Sequence, residues 1–314
     1  MRIFFVLAGL FAALVIAAAC GDDDAGRDGT PVATTSAATA APAFPMTITD
    51  DVGIEVTLAS EPESVVALAA SFVEVLYALG EGGRIVAAET NADYPQEAES
   101  IPKISGFSPS VEGIVSYEPD LVLIFFDPGD LQSSLISLGI PTIYLETPST
   151  IAGVYEQIET LGAVTGRTAE AETIVSSMQA DIAAIAGELD DVTAGPSVFL
   201  EYDAMLFTAG PGSFPDEVFG LLKATNIAAP TGEAFPQMST EAIIGAGPEV
   251  IVLADADFGE SAETVAARPG WDAVPAVQDG RVYPVPAALL SRATPRLVDD
   301  IQLLAGLFYP EQFE

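Results

Sequence analysis

The sequence predicts an α/β protein: two Rossmann-like lobes with parallel sheets, joined by one long interdomain α-helix. Three observations predict it. A phrase is written twice, since Ser110, Glu112, Ile114, Pro119, Asp120, Leu121 and Val122 return as Ser239, Glu241, Ile243, Pro248, Glu249, Val250 and Ile251, at one offset of 129 (112 to 241, 119 to 248). Short apolar runs alternate with helical patterns in both halves, which is how parallel sheets covered on both faces are written. Between the halves, residues 168–189 lack Pro and carry the apolar stripe Ile174, Met178, Ile182, Ile185 and Leu189. As a single helix that stretch spans roughly 30 Å at 1.5 Å per residue. A strut of that kind permits only small relative motion of the lobes.

The elements follow in order. Residues 47–49 and 54–58 flank an Asp-Asp-Val-Gly turn and read as a hairpin. A strand over 65–68 leads to Ser71 with Glu74 three residues on, a capping-box pattern opening a helix that carries Val75, Leu76 and Leu79 and stops at Gly80. Further strands are expected at 85–87, 121–126 and 142–145, with a helix over 131–138. In each copy of the repeated phrase, Ser precedes the acid by two residues, so Ser caps a short helix whose first turn carries Glu112 or Glu241, where the helix dipole favours negative charge. The second lobe opens with a strand at 198–202. Ser213 and Asp216 repeat the capping-box pattern ahead of Val218, Leu221 and Leu222, so Gly210-Pro211-Gly212 reads as a tight turn into that helix rather than a phosphate loop. Strands at 250–253 and 282–285 follow, then a closing helix over 295–308 with Leu297, Ile301, Leu304 and Leu307 on one face.

Of the 314 residues, 46 are acidic and 10 basic, a formal charge of −36. Such a surface repels nucleic acid, whose binding depends on Lys and Arg neutralising phosphates, and that class is excluded. His is absent and Cys20 is the only cysteine. No Ser-His-Asp or Cys-His centre, no His-ligated metal and no internal disulfide can therefore be assembled. No metal site or cofactor of the protein's own is expected.

At the N-terminus, Arg2 precedes an apolar run ending in Ala17-Ala18-Ala19-Cys20. This has the parts of an export signal, and Ala-Ala-Ala-Cys resembles a bacterial lipobox, which implies an exported protein tethered by lipid on Cys20 to the outer face of the cell membrane. The Asp22-Asp23-Asp24 run and the Thr, Ala and Pro tract after it cannot bury a core and read as a flexible tether. The domain organisation is then a signal peptide at 1–19, the lipidated Cys and linker at 20–44, an N-terminal lobe at 45–165, the connecting helix at 166–191 and a C-terminal lobe at 192–314.

Several segments, in order and spacing, resemble the cobalamin and iron-siderophore type of ABC-transporter substrate-binding proteins. These are Asp93-Tyr94-Pro95, Gly106-Phe107-Ser108, the Glu112 phrase through Leu123, Thr208 to Phe214, Pro236 to Glu241, Gly280 to Tyr283, and Ser291-Arg292 with Pro295-Arg296. The similarity runs from about Phe44 to Phe313. It implies ligand held between the lobes and docking on a dimeric ABC permease through one Glu from each lobe, which are Glu112 and Glu241 here. A monomer that is not an enzyme is expected.

Loops at the carboxyl ends of the strands, where pockets of open α/β sheets lie, carry Tyr94, Phe107, Phe126, Asp127, Tyr202, Phe207, Phe214, Phe235 and Arg292. Tyr94, Phe107, Phe207 and Phe235 lead as ligand-binding residues, with Arg292 as the one obvious cation unless it pairs with Asp299. An aromatic cleft poor in cations suits a corrinoid such as cobalamin. A ferric siderophore is the alternative, and haem, with Tyr94 or Tyr202 as axial ligand, comes third. An exported hydrolase using Asp127 and Glu201, or a sensor lipoprotein without transport, completes the field.

Overall fold

Period-two alternation in the inner strands decides the layers of this molecule, whose computed structural model describes residues 44–313. The strands are β1 Met46–Thr49, β2 Glu55–Leu58, β3 Val65–Ala67, β4 Ile85–Glu89, β5 Lys103–Ile104, β6 Leu121–Ile124, β7 Thr142–Tyr144, β8 Ser197–Glu201, β9 Thr225–Asn226, β10 Val250–Leu253 and β11 Val282–Pro284. The helices are α1 Ala70–Ala78, α2 Val111–Val115, α3 Leu131–Ser137, α4 Ile151–Val164, α5 Thr168–Gly187, α6 Phe214–Leu221, α7 Thr240–Ala246, α8 Ala262–Ala266, α9 Pro275–Gln278 and α10 Leu297–Phe308. The hairpin β1-β2 is antiparallel. Two parallel sheets follow, ordered β5-β4-β3-β6-β7 and β11-β10-β8-β9. The expectation of two α/β lobes bridged by a long helix is the fold observed.

Val65, Ala67, Leu121 and Leu123 of the first sheet, with Val198, Leu200, Val250 and Val252 of the second, enter one core that also takes in α4, α5 and α10. The intervening residues Val66, Val122 and Ile124 face a separate core containing Ile114 of α2. Phe199, Ile251 and Leu253 likewise face their own core containing Ile243 of α7. Each strand thus serves two interiors, as the pleat requires. The two helices of the repeated phrase are anchored in equivalent outer cores by the same position.

The repeat extends to its acids. Asp120 accepts from the backbone N–H groups of Glu63 and Ser64 at 3.0 and 3.1 Å, and Glu249 accepts from the N–H of Ser197 at 2.8 Å. Each ties the start of its lobe's first strand to the neighbouring strand. Both phrases leave their helix through a left-handed residue before Pro, Glu118 at φ 50° and Gly247 at φ 60°. Only glycine takes that conformation without strain.

Three expectations are corrected. Ser71 does not cap α1: the N-cap is Ala69, with no side-chain bond. Its supposed partner Glu74 is buried against two arginines of the other lobe, so tertiary pairing has displaced the local motif. Ser213 does accept from the Asp216 N–H at 3.4 Å, but the Asp216 carboxylate turns to Gly212 N and Asn226 Nδ2, leaving half a capping box. In α5 the buried stripe is Ala171, Val175, Met178, Ile182 and Ile185, and Ile174 is only half-buried at its margin. Three helices, α4, α8 and α9, have no counterpart in the sequence reading, and α4 is the longest of them. Helix α4 is N-capped by Thr150 and buries Val154, Ile158 and Leu161 against α5.

The signal peptide, Cys20 and nearly all of the linker lie outside the described residues. Among the described residues no helix is long and apolar enough to cross a membrane.

Candidate functional site

In a parallel sheet all strands end on the same side, so their exits converge there. The exits of β3, β4 and β6 bring Ala69, Glu89 and Phe125 to one cavity of about 790 Å³, opposed by Phe258 and by residues 287–288 and 291–293 that follow the second sheet. The cavity therefore lies between the lobes and has the size of a small-molecule site. Gly106 lets the Phe107 loop lie on β3, since any Cβ there would collide with the Leu68 carbonyl oxygen. Phe107 packs edge-on against Phe125, with ring centroids 5.2 Å apart, yet stays 62% exposed to the cavity. Across from it Phe258 is 84% exposed, so each lobe offers an unburied ring.

A second hollow of about 370 Å³ adjoins the first through shared Thr147, Ser291 and Ala293, and is lined by Tyr202, Phe214 and Phe235. Burial pushes the Tyr202 phenol up to about 12.

The arginine of the cleft is internally paired. Arg292 donates through Nη1 to Glu74 at 2.8 Å and Asp93 at 2.6 Å, and through Nη2 to the Asn91 carbonyl at 3.1 Å. These bonds cross from the second lobe to the first. The bond from Arg292 holds the Asp93 carboxyl below its ordinary range. Arg296 reaches Glu74 at 3.4 Å and lies 4.2 Å above the Tyr94 ring.

A second ionic cluster sits at the exits of β8 and β10. Glu201, fully buried, takes a bidentate pair from Arg268 at 2.7 and 2.5 Å, and the same guanidinium bonds Glu260 at 2.7 Å and covers the Trp271 ring. Beside it Asp255 is 2% exposed with neither carboxyl oxygen partnered. Burial, reinforced by Glu201, pushes its carboxyl from 3.8 up to about 6. A folded-state value above the unfolded one means that the native protein holds the extra proton between about pH 4 and 6, so this group's contribution to stability falls as pH rises through that window. Asp255→Asn removes the buried charge and should accordingly stabilise the protein at pH 8 by about 1–3 kcal/mol, a rise of one pH unit in a carboxyl's titration being worth about 1.4 kcal/mol. Thermal unfolding should show that gain shrinking toward pH 4.

The candidate residues separate by location. Phe107 and Arg292 line the main cavity and Phe235 the adjoining hollow. Tyr94 lies in a groove with Tyr77, Pro295 and Arg296, away from the main cavity, and Phe207 lines neither hollow, being bridged to Gln237. Arg292 pairs with Glu74 and Asp93 rather than Asp299. Glu112 and Glu241 are both exposed, each in the first turn of a helix whose N-cap serine accepts a backbone N–H, at 3.0 Å from Gly113 and 3.2 Å from Ala242. Asp127 accepts from Gln132 N and belongs to the other lobe from Glu201, so the two carboxyls have separate structural work. Sequence reasoning missed Glu89, Gln157 and Phe258 as cavity residues. Glu89 was signalled by its place at the end of an apolar strand, whereas Gln157 and Phe258 carry no local signal.

The described residues contain no cluster of His, Cys, Asp and Glu able to hold a metal ion. The family described as "Periplasmic binding protein" matches residues 65–289. The uncharacterized ABC transporter substrate-binding lipoprotein YvrC of Bacillus subtilis is 33% identical over 98% of this chain and 98% of its own. A cobalamin-binding protein of Halobacterium salinarum is 31% identical over 85% of this chain and 74% of its own. Among solved structures, the periplasmic vitamin B12 binding protein BtuF of Vibrio cholerae aligns with a TM-score of 0.68 at 24% identity, covering 81% of this chain and 99% of that one. At that identity the likeness is one of fold.

Proposed function

The chain belongs to the periplasmic binding protein family, and on that premise we propose that it is the ligand-capturing lipoprotein of an ABC importer, holding a corrinoid between its lobes. The observation that carries this reading is the interlobe cavity: exposed rings on both sides and, among the described residues, a single lining arginine already neutralised by Glu74 and Asp93. Such a lining favours a large, flat ligand without strong negative charge. The resemblance to a cobalamin-binding protein supports the same ligand. A ferric siderophore of neutral type is the alternative. Haem is less well supported, because Tyr202 holds its phenol proton to about 12 and Tyr94 lies outside the main cavity.

In this reading Glu112 and Glu241 dock on the two permease subunits, and lipid on Cys20 keeps the protein at the outer face of the membrane. The relatives named above are binding and transport proteins, which supports a role without catalysis, and the internal pairing of Glu201 argues against the hydrolase.

The test is an absorption titration of the purified protein with cyanocobalamin, ferrichrome and haemin. Saturable retention of the corrinoid band after gel filtration is the expected result. Exclusive retention of ferrichrome would move the assignment to the siderophore class, and exclusive retention of haemin would overturn both.

A further inference from the structure

Once the cleft wall's own hydrogen bonds are assigned, one of its acceptors is left without a partner and another keeps room for more donors. Gln157 of α4 lines the cavity and is 6% exposed. Its Nε2 donates to the Glu146 carbonyl at 3.0 Å. A carbonyl only accepts, so that bond fixes which end of the amide is nitrogen. Oε1 is the other end, and it has no partner. Glu89, which closes β4, lines the same cavity and is 5% exposed. Its carboxyl accepts one close bond from Asn91 N at 2.6 Å and a long one from Asn91 Nδ2 at 3.4 Å. A carboxyl has room for about four donors, so acceptor capacity remains.

Among the described residues the only basic one lining the cavity is Arg292, which is committed to Glu74 and Asp93. An anionic group entering here would lose its water, meet a wall that holds the acceptors of Gln157 and Glu89, and find no free cation among the described lining residues. A group bearing N–H or O–H would instead supply the donors the wall lacks, and the cost of leaving a buried acceptor unmade would disappear on binding. Resting on the reading that this cavity holds the ligand, we infer that Gln157 Oε1 and the Glu89 carboxyl form a donor-accepting subsite, which selects a neutral or cationic ligand fringed with hydrogen-bond donors of the primary-amide kind. Ligands fringed with carboxylate or catecholate are rejected by the same two groups. The specificity comes from unpaired polar atoms, which discriminate more sharply than apolar contact area does.

Calorimetric titrations with cyanocobalamin, with a cobalamin monocarboxylate in which one side-chain amide is hydrolysed to the acid, and with haemin separate the possibilities. Wild type should bind the amide form about tenfold or more tightly than the monocarboxylate, and haemin weakly. Glu89→Gln keeps the size of the side chain and an oxygen for Asn91, and should weaken cyanocobalamin about tenfold while narrowing the gap to the monocarboxylate. Gln157→Leu should weaken cyanocobalamin similarly, and the change in amide-to-acid preference distinguishes loss of a contact from general damage to the fold. Unchanged affinity and unchanged preference in both variants would overturn the subsite and leave the corrinoid reading standing. Failure of wild type to bind cyanocobalamin at all would overturn that reading and the subsite together.

Discussion

Alanine at both Glu112 and Glu241 is expected to abolish ligand uptake by whole cells while leaving the purified protein's ligand affinity unchanged. Both carboxyls are exposed and neither lines a hollow of the cleft, so their removal should leave the binding cavity intact. Their cost to the isolated fold is small, since a first-turn acid on a capped helix contributes about 0.3–1 kcal/mol. A complex resting on them would suffer far more, because truncating one partner of a desolvated interfacial ion pair costs about 2–5 kcal/mol. Two such losses lower the affinity for a permease at least about a thousandfold. Single variants should retain partial transport, since either lobe still offers its anion. Uptake by cells expressing the importer, set beside calorimetric affinity in solution, checks the prediction, and a fall in solution affinity would show that the two residues serve the cleft instead.

The second large effect is expected from Arg268→Ala. Glu201 is fully buried and relies on that guanidinium for both oxygens, while Asp255 beside it has no partner of its own. Removing the cation leaves acidic groups together in a low-dielectric site, and breaking a buried pair in this way costs about 3–5 kcal/mol. The same change strips the cover from Trp271, whose ring lies 4.7 Å from the guanidinium carbon. For a protein of this size the loss corresponds to a fall in melting temperature of roughly 10 °C. Arg268→Met combined with Glu201→Leu should recover most of it, because the fully buried charge of Glu201 goes with its partner, and Glu260, which also loses the cation, is partly exposed to water. Scanning calorimetry of the single and double variants checks both halves of the prediction.

Much of this architecture was readable because it is local. The repeated phrase forecast two equivalent strands, and β6 and β10 do occupy equivalent places, each hydrogen-bonded to the first strand of its sheet. The stripe between residues 168 and 189 forecast α5, and the apolar runs forecast the inner strands. The cleft was less legible. Glu74 and Arg292 meet across 218 positions of sequence, and no spacing rule connects them, so Glu74 looked like half of a capping box. Tyr94 and Phe107 both stood in loops bounded by Pro or Gly, yet only the Phe107 loop folds over the cavity, while Arg296 holds the Tyr94 ring in a groove of its own. Gln157 was hidden for a related reason: it lies among the core positions of α4, and only the tertiary placement of Glu146, whose carbonyl takes its Nε2, leaves its oxygen without a partner.

The division of the inner strands between two interiors has an evolutionary consequence. Inserting or deleting one residue in β3, β6, β8 or β10 would send each side chain beyond it to the opposite interior, disturbing the seat of α5 and the seat of α2 or α7 in a single event. Strand length is thereby closed to gradual variation. The connecting segments at the cleft rim carry no such double duty, and lineages of this scaffold can lengthen, shorten or recompose them while the seats of α2, α5 and α7 are inherited intact.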